Sequence, residues 1–160
     1  MYFGCAISDD AISRLVDTME ENPYVHHVVV AEDDNLDIVG TIHIANMNSH
    51  EVELGVMVHE GLRGKGVAST MMDYALTWCQ NRNLRDVYMH CLAYNAPILH
   101  LVKKHGLEVS KDHGDADARV TLPECNFLTI GHEALLRQQN TLGYSVKQNL
   151  VSFRRMLAVQ

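Results

Sequence analysis

The segment Val56-Met57-Val58-His59-Glu60-Gly61-Leu62-Arg63-Gly64-Lys65-Gly66-Val67-Ala68-Ser69 reads as a strand, a tight glycine loop and the first turn of a helix. Gly64 and Gly66 let the backbone turn sharply and approach a ligand closely. The first turn of the helix leaves amide N–H groups without intrahelical acceptors. Together with the positive end of the helix dipole, those donors form an anion cradle. Arg63 and Lys65 add positive charge at its mouth. A diphosphate is the guest this chemistry suits.

Three kinds of diphosphate loop compete. A nucleotide-binding P-loop needs GxxxxGK followed directly by Ser or Thr. Here Gly61 to Lys65 has the wrong spacing, and Val67 carries no hydroxyl. A dinucleotide fingerprint needs GxGxxG after the first strand of a βαβ unit. Gly64-Lys65-Gly66 leads instead to Ser69, and the strands before it read as hairpins. The pyrophosphate of coenzyme A remains.

Outward from the loop, the periodicity sorts the chain. Upstream, Ser8 with Asp9-Asp10 is a helix start, a side-chain cap followed by acids at the positive end. Ile12, Leu15, Val16 and Met19 recur at helical spacing before Pro23. Strands are expected at 25–31, 38–45 and 51–58, joined by turns short enough for antiparallel hairpins. His26 and His27 lie side by side on the first of them and point to opposite faces. Downstream, Ala68, Met71, Met72, Ala75, Leu76 and Cys79 mark one face of a helix over 67–80. A strand at 86–92 follows. Next comes a helix with Pro97 in its first turn, running to about His105, with Gly106 as its C′ residue. Strands at 107–110 and 118–122 flank the turn His113-Gly114-Asp115. After Pro123 two helices are expected, 129–139 and 144–157, separated by Thr141-Leu142-Gly143. The order implies an α+β fold, a mixed and mostly antiparallel sheet with flanking helices. Residues 1–123 form the main domain, and 124–160 a helical extension packed on it or on a partner.

Composition narrows the function. A chain of 160 residues suffices for one core, and its 47% apolar content is that of a globular protein. Apolar runs such as Val28-Val29-Val30-Ala31 are too short to span a membrane. The start MYFGCAISDD has no secretory pattern, so a cytoplasmic protein is expected. Cys5, Cys79, Cys91 and Cys125 show no CxxC spacing and read as buried reduced thiols. The histidines do not pair with carboxylates at ligand spacing, so no metal site is expected. A net charge of −7 argues against a nucleic-acid binder and suits a cationic substrate.

Two motifs carry a family resemblance. Glu53-Leu54-Gly55-Val56-Met57-Val58-His59 followed by Arg63-Gly64-Lys65-Gly66-Val67-Ala68 resembles motif A of the GNAT N-acetyltransferases, whose loop reads Q/R-x-x-G-x-G/A. Gly61 stands at its first position. Asn95-Ala96-Pro97-Ile98-Leu99 with Lys104-His105-Gly106-Leu107 resembles motif B, with Leu107 in place of Phe. The resemblance covers about 38–122. Within it, Leu92-Ala93-Tyr94-Asn95 through Gly114-Asp115-Ala116-Asp117-Ala118-Arg119-Val120 is similar to bacterial GNAT domains found at the C-terminus of some protein-lysine acetyltransferases. GNAT domains begin with a strand and a helix ahead of a second helix; this chain reads as starting at that second helix, its N-terminal strand and helix missing.

The resemblance implies an acetyl-CoA-dependent N-acetyltransferase acting by direct attack of a primary amine, from a small molecule or a protein lysine. It implies that Val56, Met57 and Val58 offer backbone groups to the pantetheine amides. Arg63, Gly64, Lys65, Gly66, Val67, Ala68 and Ser69 take the pyrophosphate, and Asn95 also touches the cofactor. Glu53, on the strand before the loop, is the general base acting through water. Glu51 shares its face and, like Glu53, reads equally as a surface carboxylate. The family's usual acid, a Tyr seven residues after the motif B Asn, is Val102 here. His100, Tyr94, His90 and Cys91 lie near that place, and a thiolate can also leave without a dedicated acid. A non-catalytic acetyl-CoA-binding sensor or interaction module is the alternative. In the extension, Leu150, Phe153 and Leu157 form an apolar stripe, whereas Arg137, Lys147 and Arg154-Arg155 are expected in solvent. A stripe of this kind leads to the expectation of a homodimer.

Overall fold

A computed structural model describes residues 8–22 and 24–158, without side-chain detail at 153 and 155–158. Pro23, Cys5 and the rest of 1–7 lie outside the described residues, so neither the N-terminal elements nor the helix stop expected at Pro23 is addressed. The order is α1 (Asp9–Glu21), β1 (His26–Glu32), β2 (Ile38–Asn46), β3 (Glu51–Val58), α2 (Val67–Asn81), β4 (Asp86–Leu92), α3 (Ala96–Lys104), β5 (Glu108–Asp112), β6 (Asp115–Thr121) and α4 (Phe127–Ala158). The sheet runs β1-β2-β3-β4-β6-β5. All its pairs are antiparallel except β3 with β4. That is the mixed α+β sheet expected from the hairpin and helix patterns.

Local chemistry accounts for most boundaries. The Ser8 side chain accepts from the N–H of Ala11 and opens α1, with Asp9 and Asp10 in its first turn. Asn95 does the same for α3 by accepting from Ile98 N–H. Gly106, at φ +80°, closes α3 in the left-handed region that favours glycine. The β5–β6 hairpin turns on His113 and Gly114, both at positive φ, as a two-residue turn matched to strand twist requires.

The core lies on one side of the sheet. Ile42, Ile44, Val52, Leu54, Val87, Met89 and Ala118 alternate along their strands and meet Met71, Met72, Ala75 and Cys79 of α2 and Leu101 and Val102 of α3. Each such large aliphatic side chain contributes roughly 1.5–3 kcal/mol by leaving water. Burial pushes the Cys79 thiol up to about 12, so it stays protonated. Cys125 departs from the expectation of buried thiols: it is exposed, because it lies on the loop before α4. The opposite face of the sheet, with Val28, Val30 and Met57, is open, and so are Ile12, Leu15 and Val16 of α1.

His26 and His27 do point to opposite faces. His27 stacks on Trp78 of α2 at 4.4 Å between ring centroids, on the core side. Burial and the nearby Arg82 and Arg137 guanidiniums push its pKa down, so it stays neutral there. His26 meets His43 across the open face, Nδ1 to Nε2, at 3.0 Å.

The C-terminal region corrects the sequence expectation. Two helices broken at Thr141-Leu142-Gly143 were expected; one helix of 32 residues runs through them. A glycine inside a helix costs about 1 kcal/mol, too little to break a segment anchored on both sides. On one side Glu133, only 8% exposed, accepts from Asn81 Nδ2 at 2.7 Å and from Arg82 Nη1 at 3.1 Å. It also pairs with Arg137 at 3.1 Å. On the other side Lys147 Nζ donates to the carbonyls of Glu32 and Asp33, each at 3.1 Å, and Arg154 donates to Asn35. Across the junction Thr141 Oγ1 bonds the Arg137 carbonyl, and Ser145 Oγ bonds that of Thr141. Arg137, Lys147 and Arg154 were expected in solvent: Arg137 and Arg154 are exposed, with partners in Glu133 and Asn35, and Lys147 alone is half-buried, against the β1–β2 turn.

The Glu133 anchor yields a stability prediction. Burial pushes its carboxyl up, but the Asn81 amide and the Arg82 and Arg137 guanidiniums outweigh that and hold it below the ordinary range. A depressed carboxyl stabilises fully above its unfolded pKa and loses that contribution as pH falls through the folded value. Glu133→Ala is expected to cost about 2 kcal/mol at neutral pH. That is less than the ~3–5 kcal/mol for orphaning a fully buried charge, because the Arg82 side chain is 33% exposed. The cost should shrink on acidification through the carboxylate range. Denaturant melts of both proteins at pH 7 and pH 3 check this, and equal stability at pH 7 would refute it.

Candidate active site

The parallel pair β3–β4 is where the sheet opens. Its register runs Glu51↔Asp86, Val52↔Val87 and Glu53↔Tyr88, and there it stops. Yet β3 continues to Val58 and β4 to Leu92. β4 goes on pairing with β6 through Leu92↔Asp115, and β3 with β2 through Val58↔Gly40. The two strands therefore part after Glu53 and Tyr88, each held by its outer neighbour. From Leu54 to Val58, one edge of β3 faces the gap with backbone groups free to pair. Val56 and Val58 pack against the core, whereas the Met57 side chain is exposed.

Because β3 and β4 are parallel, the helices that follow them both start at the open end of the gap. After β3 a short 3₁₀ turn at Glu60–Leu62 is capped by His59, whose Nδ1 accepts from Gly61 N–H. Gly64 follows at φ +76° and Gly66 at φ +87°. Gly66 is the N-cap of α2 and provides no side-chain acceptor, so the N–H groups of the first turn, Val67 to Ser69, stay available. A Cβ added at Gly64 or at Gly66 would meet no atom within 4 Å. The hollow is open space lined by backbone donors, with Arg63 and Lys65 exposed beside it. Donors and charge both fit a diphosphate.

The Ser69 hydroxyl is committed elsewhere. It accepts from Lys104 Nζ at 2.7 Å and donates to His105 Nε2 at 3.0 Å. The His105 ring donates from Nδ1 to Asp73 at 3.1 Å. This chain from lysine to carboxylate ties the end of α3 to the start of α2 and holds the Lys104 ammonium beside the cradle. Ser69 is thus left its N–H for an anion. Asn95 sits at the other helix start, with its side-chain oxygen capping α3 at 3.4 Å from Ile98 N.

At the fork, Glu53 shares the open face with Tyr88 and is close enough to raise its pKa. No hydrogen bond or ion pair engages the Glu53 carboxylate among the described residues. Glu51 differs: it accepts from Asn48 Nδ2 at 3.0 Å and pairs with Arg119 at 3.6 Å. At and beyond the last rung stands a cluster that joins His90, expected near the acid position, to Tyr88, Asp117 and Arg119, which sequence reasoning missed. Tyr88 OH and His90 Nδ1 both donate to Asp117 Oδ1 at 2.9 Å, and Arg119 lies 4.6 Å over the Tyr88 ring. The His90 and Tyr88 hydrogen bonds hold the Asp117 carboxyl below its usual range. Burial, then Asp117 and Glu53, push the Tyr88 phenol up to about 12. Its only trace in the sequence is the polar residue at every second place along β4 and β6. Val102 is fully buried in the core, so its position serves packing. His100 is exposed on α3, and Cys91 is half-buried.

Two further facts describe the chain. No helix among the described residues is long and apolar enough to cross a membrane. Among the same residues, no group of three or more His, Cys, Asp or Glu is placed to hold a metal.

Comparison with known proteins agrees with this fold. Residues 4–107 match the family described as "Acetyltransferase (GNAT) family". "Putative phosphinothricin acetyltransferase YwnH" of Bacillus subtilis (strain 168) is 30% identical over 82 residues, 48% of this chain and 50% of that protein. The chain thus matches about half the length of that curated relative. Among solved structures, a chimera of the spermidine N-acetyltransferase SpeG from Vibrio cholerae and hSSAT superposes with a TM-score of 0.62 at 20% identity, over 72% of this chain and 77% of that one. The Vibrio cholerae spermidine N-acetyltransferase in complex with CoA and spermine gives 0.59 at 20% identity, over 71% and 74%. At such identity these likenesses establish the fold. With the family match spanning well over half of its residues, this chain belongs to the GNAT family of acetyltransferases.

Proposed function

We propose that this chain is an N-acetyltransferase that moves the acetyl group of acetyl-CoA to a primary amine by direct attack. The observation that carries this reading is the fork. The sheet parts at the free carboxylate of Glu53, and the glycine cradle opens at the same end of the gap. A long, bent cosubstrate with an anionic middle and a thioester at one end suits that shape. In this reading the N–H groups of Val67, Ala68 and Ser69, with Arg63, Gly64, Lys65 and Gly66, take the pyrophosphate. The free edge at Val56, Met57 and Val58 takes the pantetheine amides, and Asn95 borders the same gap. Bound acetyl-CoA supplies an activated acyl carbon. Glu53 removes the proton from the incoming ammonium, directly or through one water, because only a neutral amine has the lone pair to attack.

The acceptor side is the open face, where Glu53, Asp115 and Asp117 stand with Tyr88 and His90. Carboxylates there favour a cation, in keeping with the formal net charge of −7. Relatives named for spermidine, and one holding spermine, support an amine acceptor without naming this one. Both a small amine and a protein lysine fit an open face.

The test is release of free thiol from acetyl-CoA in the presence of polyamines, small monoamines and a lysine peptide. Turnover with at least one of them is expected. Tight acetyl-CoA binding with no turnover on any amine would favour a non-catalytic sensor instead.

A further inference from the structure

The long helix α4 carries an apolar stripe that its own domain leaves uncovered. Its charged side chains among those described face its own domain: Glu133 meets Asn81 and Arg82, Arg137 meets Glu133, Lys147 meets the β1–β2 turn, and Arg154 meets Asn35. Five of its apolar residues face away, whereas Leu136 and Val151 are half-buried. Leu128 is 84% exposed, Leu135 58% and Leu142 61%, with Val146 and Leu150 also more than half exposed. At 100° per residue these five fall within about 80° of arc, on the side of the helix turned from its anchors.

Leu128, Leu135 and Leu142 are seven residues apart, the repeat that keeps one stripe facing a neighbouring helix. Midway between and beyond them stand Gly131, Gln138 and Ser145, small or neutral residues that let another helix approach. The stripe contains no Asp, Glu, Lys or Arg from 128 to 150. Such a seam is complementary to a seam like itself, and an identical uncharged face meets its copy without repulsion. The span of 22 residues is about 33 Å long. Its side chains offer roughly 500 Å² of apolar surface per copy, hence roughly 1,000 Å² for a pair, about the floor for a specific interface.

We infer that the outward stripe of α4 is a homodimer interface, in which two copies pack their α4 helices against each other about a two-fold axis. This corrects the stripe expected at Leu150, Phe153 and Leu157: the seam runs through Leu128, Leu135, Leu142, Val146 and Leu150, and the side chains of Phe153 and Leu157 lie outside the described residues. The pairing is independent of the acyl-transfer reading. α4 contributes no residue to the fork, and its Glu133 anchor sits at the far end of α2 from the cradle.

Sedimentation velocity on the full chain from about 1 to 100 μM tests it, compared with the double variant Leu135→Glu/Leu142→Glu. The wild-type chain is expected at twice the chain mass. The double variant is expected to be at least 100-fold weaker in self-association, with unchanged helix content and acetyl-CoA affinity. Leu135→Met/Leu142→Met should keep the dimer. If the double variant loses helix content, Ser145→Glu, which inserts charge into the seam on solvent-facing helix, takes its place. A wild-type monomer at 100 μM, or charged variants that associate as tightly as the wild type, would overturn the inference. Loss of acetyl-CoA binding with the dimer intact would instead count against the function proposed above.

Discussion

Gly66→Val should cost at least about 100-fold in acetyl-CoA affinity, measured by calorimetry on a protein whose circular dichroism is unchanged. Two effects combine. Gly66 sits at φ +87°, a conformation that β-branched residues avoid. Holding such a residue there costs on the order of 1–3 kcal/mol. If the backbone keeps its conformation, the new side chain enters the hollow that is empty of protein atoms within 4 Å. In the proposed binding mode that space takes the pyrophosphate, and about 2.7 kcal/mol of lost contact is already 100-fold. If the backbone relaxes to negative φ instead, the free N–H groups at the start of α2 swing away from the cradle. Either route removes the anion site while leaving the core untouched, because Gly66 contacts none of it. Gly66→Ala should fall between the two. Unchanged affinity in a folded Gly66→Val protein would remove the cradle from the cofactor site.

Glu53→Gln is the second large effect. A general base contributes about 10²–10⁴-fold, so turnover near neutral pH should fall by roughly 100-fold or more. Acetyl-CoA affinity should stay nearly the same, because Glu53 stands at the fork and not in the cradle. Glutamine keeps the shape and loses the ability to take a proton. The deficit has a pH signature with a fixed sign. An alkyl amine is an ammonium below about pH 10, and the base is needed only while it is. The gap between variant and wild type should therefore narrow as the pH approaches 10. A variant as impaired at pH 10 as at pH 7 would assign Glu53 a structural role. Glu51→Gln is the natural control: its carboxylate is already engaged by Asn48 and Arg119, so a smaller change in turnover is expected.

Much of this protein is written locally in its sequence. Caps at Ser8 and Asn95, the glycine at the end of α3 and the two-residue turn at His113-Gly114 act over four residues or fewer. Short-range rules therefore place most of those boundaries within a residue or two, although β6 begins at Asp115, three residues before the expected start. The cradle is legible for the same reason. Two glycines at positive φ, two cations and a helix start are neighbours in the chain, so their chemistry can be seen without knowing the fold.

The fork, the acceptor face and the set of α4 had to await the tertiary structure. Glu53 and Tyr88 become neighbours only when α2 carries the chain back to lay β4 parallel to β3, and no local pattern says after which rung the strands part. The Asp117 cluster joins residues 27 and 29 apart, and the Ser69–His105 contact joins residues 36 apart. Periodicity says which side chains share a face but not what that face meets. In α4 it gave an apolar stripe and a charged face, and the usual rule would bury the stripe. Glu133, Arg82, Asn81 and the carbonyls of the β1–β2 turn reversed that rule. Polar partners with matched geometry outweighed both the local break at Gly143 and the preference of leucine for the interior. Sequence alone thus determined the fold class, the strand faces and the glycine loop at the start of α2, because those depend on near neighbours. The open fork, the free carboxylate within it and the outward seam of α4 depend on which distant groups meet, and that is decided only when the chain is folded.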